Sequence, residues 1–348
     1  MKIAIGIAGT GPSLSWEETV DFVREAESLG VDFAWSSEAW IRDAFTPLAY
    51  LAACTSRVRL GTAIAVVGTR TPGMLAMTAM TLSELSQGRF SLGLGASGPQ
   101  VIEAVHGFEF AGQLGRIEES AAIVRKAFAG ERLEYVGKYY ALPRPGGAAS
   151  RALRVGPRVS HVAPIYVGAM SPAGLRLTGR IADGWIGHHF VPEAAESYLA
   201  PLREGADAAG RALDSLDLQA GGWVEFGEDL DALIDSRRAY LAHSIGAMGT
   251  ATKNYYHDVY ARAGFEVIAR EIQSLWLAGE RDKAVAAVPD ELVLQSQLIG
   301  NEARLRERVD LMRSLGIRTL RVQPAGSTAR EQLETLERTI AVVRSLDD

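Results

Sequence analysis

The chain has 348 residues, 47% of them hydrophobic and 22% charged, with a net charge of −6. That composition suits a folded protein with a large core and excludes a disordered chain, a collagen or a coiled-coil rod. An acidic balance argues against nucleic acid as partner, and the single cysteine, Cys54, excludes an internal disulfide and a cysteine-rich metal site.

The first apolar run, residues 3–8, reads as a buried strand. It is too short for a signal peptide and soon meets Pro12, and no stretch approaches the ~20 apolar residues of a membrane span. A cytoplasmic protein without a membrane partner is expected, and a lone cysteine fits that reducing compartment. Ser15 and Glu18 have capping-box spacing. Phe22, Val23, Ala26 and Leu29 then give a helical face, closed by Gly30. A strand follows at 31–36, a helix at 44–56, a strand at 58–66 and a helix at 73–86. After Gly88 come a strand at 90–95 and a helix at 115–129. The pattern resumes with a strand at 164–169, a helix at 172–182, a strand at 183–187, a helix at 193–210 and a strand at 217–225. It ends with a helix at 301–315, a strand at 317–322 and a helix at 329–346.

Eight strands alternating with helices predict an α/β fold with a parallel sheet. The count favours a closed (β/α)8 TIM barrel, in a single domain over 1–348, above an open doubly wound sheet. No Gly-x-Gly-x-x-Gly opens the first crossover. Residues 131–163 and 248–281 lack a clean period and read as insertions, the kind of long loop that carries function.

The informative positions lie where strands give way to helices. Thr71-Pro72, Ser97-Gly98-Pro99 and Ser171-Pro172 each place a proline in a first helical turn behind a good N-cap. In a barrel these starts face one rim, where free amides and helix dipoles favour an anion. Gly93, Gly95, Gly98 and Gly168 would let a ligand approach the backbone. Any one junction is explained as an ordinary helix start. Three together point to a phosphate-bearing cofactor. Residues 135–182 contain no Asp or Glu but include Lys138, Arg144, Arg151, Arg154, Arg158, Arg176 and Arg180. This block suits a polyanionic ligand and equally a solvated arginine-rich surface. The six histidines lack zinc-site spacing, and no lysine falls where a Schiff base would need it. His188 and His189 follow the strand at 183–187, which makes each either a proton donor or a structural histidine.

Further blocks carry a resemblance. Arg57-Val58-Arg59-Leu60-Gly61-Thr62, Arg70-Thr71-Pro72 and Leu85-Ser86-Gln87-Gly88-Arg89-Phe90 resemble the bacterial-luciferase-like flavin superfamily. Ser97-Gly98-Pro99-Gln100, Ile165-Tyr166-Val167-Gly168-Ala169-Met170-Ser171-Pro172 and Ala182-Asp183-Gly184-Trp185 are similar to its coenzyme F420-dependent oxidoreductases, the branch that includes methylenetetrahydromethanopterin reductase.

The resemblance implies a barrel holding deazaflavin F420 at its C-terminal rim, with a non-prolyl cis peptide at Ala63-Ile64 behind the ring. It implies phosphate contacts at Gly168, Ala169, Met170 and Ser171 with Ser97 and Gly98 opposite, and contacts to the ring's polar edge from Glu38 and Trp40. It also implies hydride transfer at the deazaflavin C5 to or from a small-molecule substrate, and a homodimer. The dimer surface would draw on Leu48, Tyr50, Leu51, Met77, Met80 and Leu82, residues that equally suit barrel packing. No acidic residue stands in or just after the first strand, which sets aside the methanopterin substrate and leaves Glu38, His188 and His189 as candidates for proton transfer. An FMN-dependent monooxygenase of the same superfamily and a non-catalytic flavin-binding barrel are the alternatives.

Overall fold

A computed structural model describes residues 1–7, 15–38, 42–148, 151–250 and 253–346. Eight parallel strands form its centre: β1 (Lys2–Gly6), β2 (Phe33–Ser36), β3 (Arg59–Thr62, resumed at Ala65–Val66), β4 (Phe90–Gly95), β5 (Ile165–Gly168), β6 (Gly184–Ile186), β7 (Asp217–Phe226) and β8 (Thr319–Pro324). Each pairs with the next. Pairing of β8 with β1, Lys2 against Thr319, closes the ring. The expected closed (β/α)8 barrel is therefore the fold.

Local chemistry sets the helix starts. Ser15 caps Trp16–Leu29 reciprocally: its Oγ accepts from the Glu18 amide, and its own amide donates to the Glu18 carboxylate. Thr71 and Ser171 cap Pro72–Leu85 and Pro172–Ile181 through their hydroxyls. Leu48, Leu75, Val124, Leu175, Leu202 and Leu336 are fully buried in the layer between barrel and helices. Inside the barrel, Phe33 and Trp35 stack at 5.5 Å and Tyr166 meets Trp35 edge-on at 5.2 Å, so the lower lumen is packed rather than open. Asp217 is the carboxylate in this layer. It accepts from the Tyr166 hydroxyl, the Gln219 amide and the Thr319 hydroxyl, each at 2.9 Å.

Two expectations need correction. Residues 248–281 do not form an irregular insertion. They belong to a helical excursion after β7, built from Leu230–Ala247, Tyr255–Tyr260, Glu266–Leu277, Arg281–Ala286 and Asp290–Ser296. These helices share a second core that includes Leu241, Ile245, Tyr260, Ile272 and Leu292. Apart from Val259, their buried apolar residues pack into this second core and not into the barrel's. The chain returns through Leu298–Gly300, which adds a strand beside Val224–Phe226. The stretch 131–163 is largely irregular as expected, but contains a small hairpin, Tyr135–Val136 with Ala141–Leu142. The buried carboxylate of Glu119 holds that hairpin's turn by accepting from the Lys138, Tyr139 and Tyr140 amides.

Candidate active site

The C-terminal ends of the strands open into a cavity of about 1110 Å³. Its floor is Gly6, Trp35, Ala63 and Ile64, and one wall is Gly168–Ser171. Tyr139 from the hairpin segment and Tyr240, Met248 and Tyr256 from the helical excursion form its roof.

A bulge in β3 shapes the floor. Leu60 pairs with Phe90, but Ala65 pairs with Leu94, so β3 spends one more residue than β4 over the same distance. The extra residue falls at Ala63-Ile64, whose peptide bond is cis. Below the bulge, the Thr62 hydroxyl donates to the Gly93 carbonyl at 2.7 Å and accepts from the Gly93 amide at 2.9 Å. Above it, the Glu38 carboxylate accepts from the Val66 amide at 2.9 Å and pairs with Arg70. Both carboxylate oxygens are engaged, the other with the Ala44 amide at 3.3 Å.

The bulge explains glycines that the sequence assigned to ligand approach. A Cβ on Gly95 would lie 2.5 Å from the Ile64 side chain, one on Gly168 would lie 2.7 Å from it, and one on Gly93 would lie 1.9 Å from the Thr62 carbonyl oxygen. These three accommodate the protein's own bulge. At Gly98 a Cβ would meet nothing within 4 Å, so this one faces open space.

Two histidines follow β6. His189 is buried among Tyr240, Tyr256 and Tyr260, and its Nδ1 lies 2.7 Å from the Tyr260 hydroxyl. His188 is not enclosed in the same way: its side chain is exposed to the cavity, which its ring lines. Burial, with the Arg321 charge added, pushes the His188 imidazole down to about 4. Burial, then His188, holds His189 well below its ordinary value. Both are neutral at pH 7.

This gives the folded protein an acid weakness. Unfolded histidine takes a proton near pH 6.5. Below that pH the unfolded chain binds protons that the native rings refuse, so stability falls with falling pH. The fall from His188 ends once its native ring titrates, near about 4. The melting temperature should decline between pH 6.5 and 5, and less steeply in His189→Asn, whose side chain suits the positive φ of 53° at that position. Equal slopes for the two proteins would show that His189 is not the source.

The cavity draws together Glu38, Ala63, Ile64, Ser97, Gly98, Gly168–Ser171, His188 and His189 from distant points in the chain. Trp40 lies outside the described residues. Thr71-Pro72 does not line the cavity, so two of the three proline junctions open on it. The basic block does not gather there either. Arg176 pairs with Glu204 and Arg180 with Glu118 on the outer surface. Among the described residues, the cations lining the cavity are Lys253 and Arg321. Sequence reasoning missed Arg321, Tyr240 and Tyr256. The signal for Arg321 was a charged residue inside an otherwise uncharged strand, Thr319–Pro324.

Fold and site together define a TIM barrel with a large ligand cavity at its C-terminal rim, floored by a bulged third strand. The chain belongs to the luciferase-like monooxygenase family, whose model matches residues 2–319. It is 34% identical over 343 residues to a Mycobacterium tuberculosis protein that carries the provisional name coenzyme F420-dependent oxidoreductase, covering 97% of each chain. It is 31% identical to an F420-dependent glucose-6-phosphate dehydrogenase of Microbacterium testaceum, over 71% of this chain and 75% of that one. Among solved structures, the F420-dependent tetrahydromethanopterin reductase of Methanopyrus kandleri superposes with a TM-score of 0.78, at 22% identity and 98% coverage of both chains, a likeness of fold.

Proposed function

We propose that this protein is an F420-dependent oxidoreductase that exchanges a hydride between the deazaflavin and a small organic substrate. The observation that carries the reading is the cavity, joined to a relative of the same class that matches nearly the whole chain. The residues present fit such a cofactor. The cavity exceeds a typical drug-sized site, leaving room for ring and substrate together. The shelf at Ala63-Ile64 offers an apolar surface to one ring face. Gly98 leaves space for a bulky group, and the N-terminus of Pro172–Ile181 favours an anion beside it.

When bound, F420 supplies two-electron hydride chemistry at C5. The protein's part is positioning and proton handling. Ala63 and Ile64 would back the ring. Ser97, Gly98, Gly168, Ala169, Met170 and Ser171 would hold the phosphate side. Glu38 acts through the bulge it braces. His188, neutral and facing the cavity, holds or accepts the substrate's proton. His189, bonded to Tyr260 beneath it, fixes its setting. The tyrosine roof excludes water.

The protein works as a homodimer on this reading. Tyr50, Met74, Met77 and Leu85 are exposed apolar residues on neighbouring helices. Leu48, Leu51 and Leu82 face inward and pack the barrel instead.

Titration of purified protein with F420 and with FMN, read by quenching of cofactor fluorescence, tests the assignment. Tight F420 binding is expected. Tight FMN binding without F420 binding would replace it with a monooxygenase. His188→Asn should leave the F420 titration unchanged and lower turnover about 100-fold or more. Sedimentation of the same sample at twice the chain mass checks the dimer.

A further inference from the structure

Arg321 projects into the lumen from β8, the strand that closes the barrel. Thr319, Arg321 and Gln323 share the inward parity of that strand, while Leu320 and Val322 pack outward into the helical layer. Gly221, paired with Arg321 across the strands, lets the two backbones approach closely, since a Cβ there would lie 2.0 Å from the Arg321 carbonyl oxygen. Among the described residues the guanidinium makes one hydrogen bond, donating to the Gly187 carbonyl at 3.1 Å. Among the described residues no carboxylate pairs with it. Asp217, the carboxylate of the layer below, is saturated by three neutral donors. Arg321 is half-buried, and a cation drawn partly out of water without a counter-ion is costly, so proteins normally pair it. Here the missing charge has to come from what enters the cavity.

We infer that Arg321 is the substrate's anchor, and that the substrate carries a carboxylate. This rests on the oxidoreductase reading for the word substrate, but the binding site itself does not. The planar fork of a guanidinium matches the two oxygens of a carboxylate. One cation balances one negative charge. The other cation lining the cavity, Lys253, lies over the Phe110 ring at 4.8 Å and the Tyr255 ring at 5.8 Å, away from the barrel strands. A phosphate dianion would need a second charge at Arg321, and none is there. His188 and Tyr240 line the same cavity and lie within the field of Arg321. A carboxylate held there places the rest of the molecule beside the His188 imidazole.

The test compares acids with their amides. Hexanoate and benzoate are titrated calorimetrically against hexanamide and benzamide, with inorganic phosphate as the competing anion, on cofactor-free protein and again with F420 present. Wild type should bind the acids at least tenfold tighter than the amides and tighter than phosphate. Arg321→Met should lose that preference. Arg321→Lys, which keeps the charge and loses the fork, should retain it with at least threefold weaker acid binding, and decides the matter if the methionine variant does not fold. Equal binding of acid and amide by wild type, an undiminished preference in the variants, or tighter binding of phosphate would overturn the inference. F420 quenching on the same samples reports separately on the oxidoreductase reading. Absence of quenching in wild type defeats that reading alone, since the acid preference is measured without the cofactor.

Discussion

Glu38→Ala should lower stability by about 2–4 kcal/mol and weaken F420 binding at least tenfold. The substitution strips the Val66 amide of its acceptor and leaves Arg70 without its partner, both next to the bulge. The Glu38 side chain is only 7% exposed, so water does not readily replace it. Glu38→Gln keeps an acceptor for Val66 and loses the ion pair, so it should fall between alanine and wild type. This pattern separates positioning from proton transfer. A residue that braces the floor changes cofactor affinity and melting temperature together. A proton carrier would lose turnover by about 100-fold or more in Glu38→Gln while affinity stayed constant. Denaturant unfolding, F420 titration and turnover on the same three proteins distinguish the cases.

The second large effect contrasts two glycines. Gly93→Ala would push a methyl group within 1.9 Å of the Thr62 carbonyl oxygen and 2.9 Å of Ile186. The strands can yield only by parting, which breaks the reciprocal Thr62–Gly93 bonds under the bulge. We expect a loss of about 3 kcal/mol and a collapse of cofactor affinity. Gly98→Ala should do the opposite. Its backbone has an ordinary extended conformation and its surroundings are open, so stability should stay within about 0.5 kcal/mol. The added methyl group would occupy space assigned to the cofactor, and F420 affinity should fall alone. A stable Gly93→Ala, or a Gly98→Ala that binds F420 as wild type does, would contradict this division.

Much of the architecture was legible because it is local. The Ser15–Glu18 capping box, the prolines after Thr71 and Ser171 and the short apolar runs act within a few residues of themselves. Each segment therefore announces its own type and limits. The rim was legible for a related reason: in alternating β and α units every strand leads to its helix at the same end. The blocks from Arg57 to Thr62 and from Ile165 to Pro172 carried the family likeness that the match over residues 2–319 upholds.

The sequence by itself determined the eight strands, most of the helices that follow them and the end of the barrel where a ligand would sit. Only the tertiary structure decided what each rim residue faces. It set Gly93 against Thr62 and Gly95 against Ile64 at the bulge, tied Glu38 to Val66 and Arg70, and dispersed the arginines of 135–182 away from the cavity. It also gathered five helices between residues 230 and 296 around a core of their own, and left Arg321 without a carboxylate. Helix caps and strand runs are decided by neighbours along the chain. Burial, charge pairing and steric contact are decided by residues that folding alone brings together.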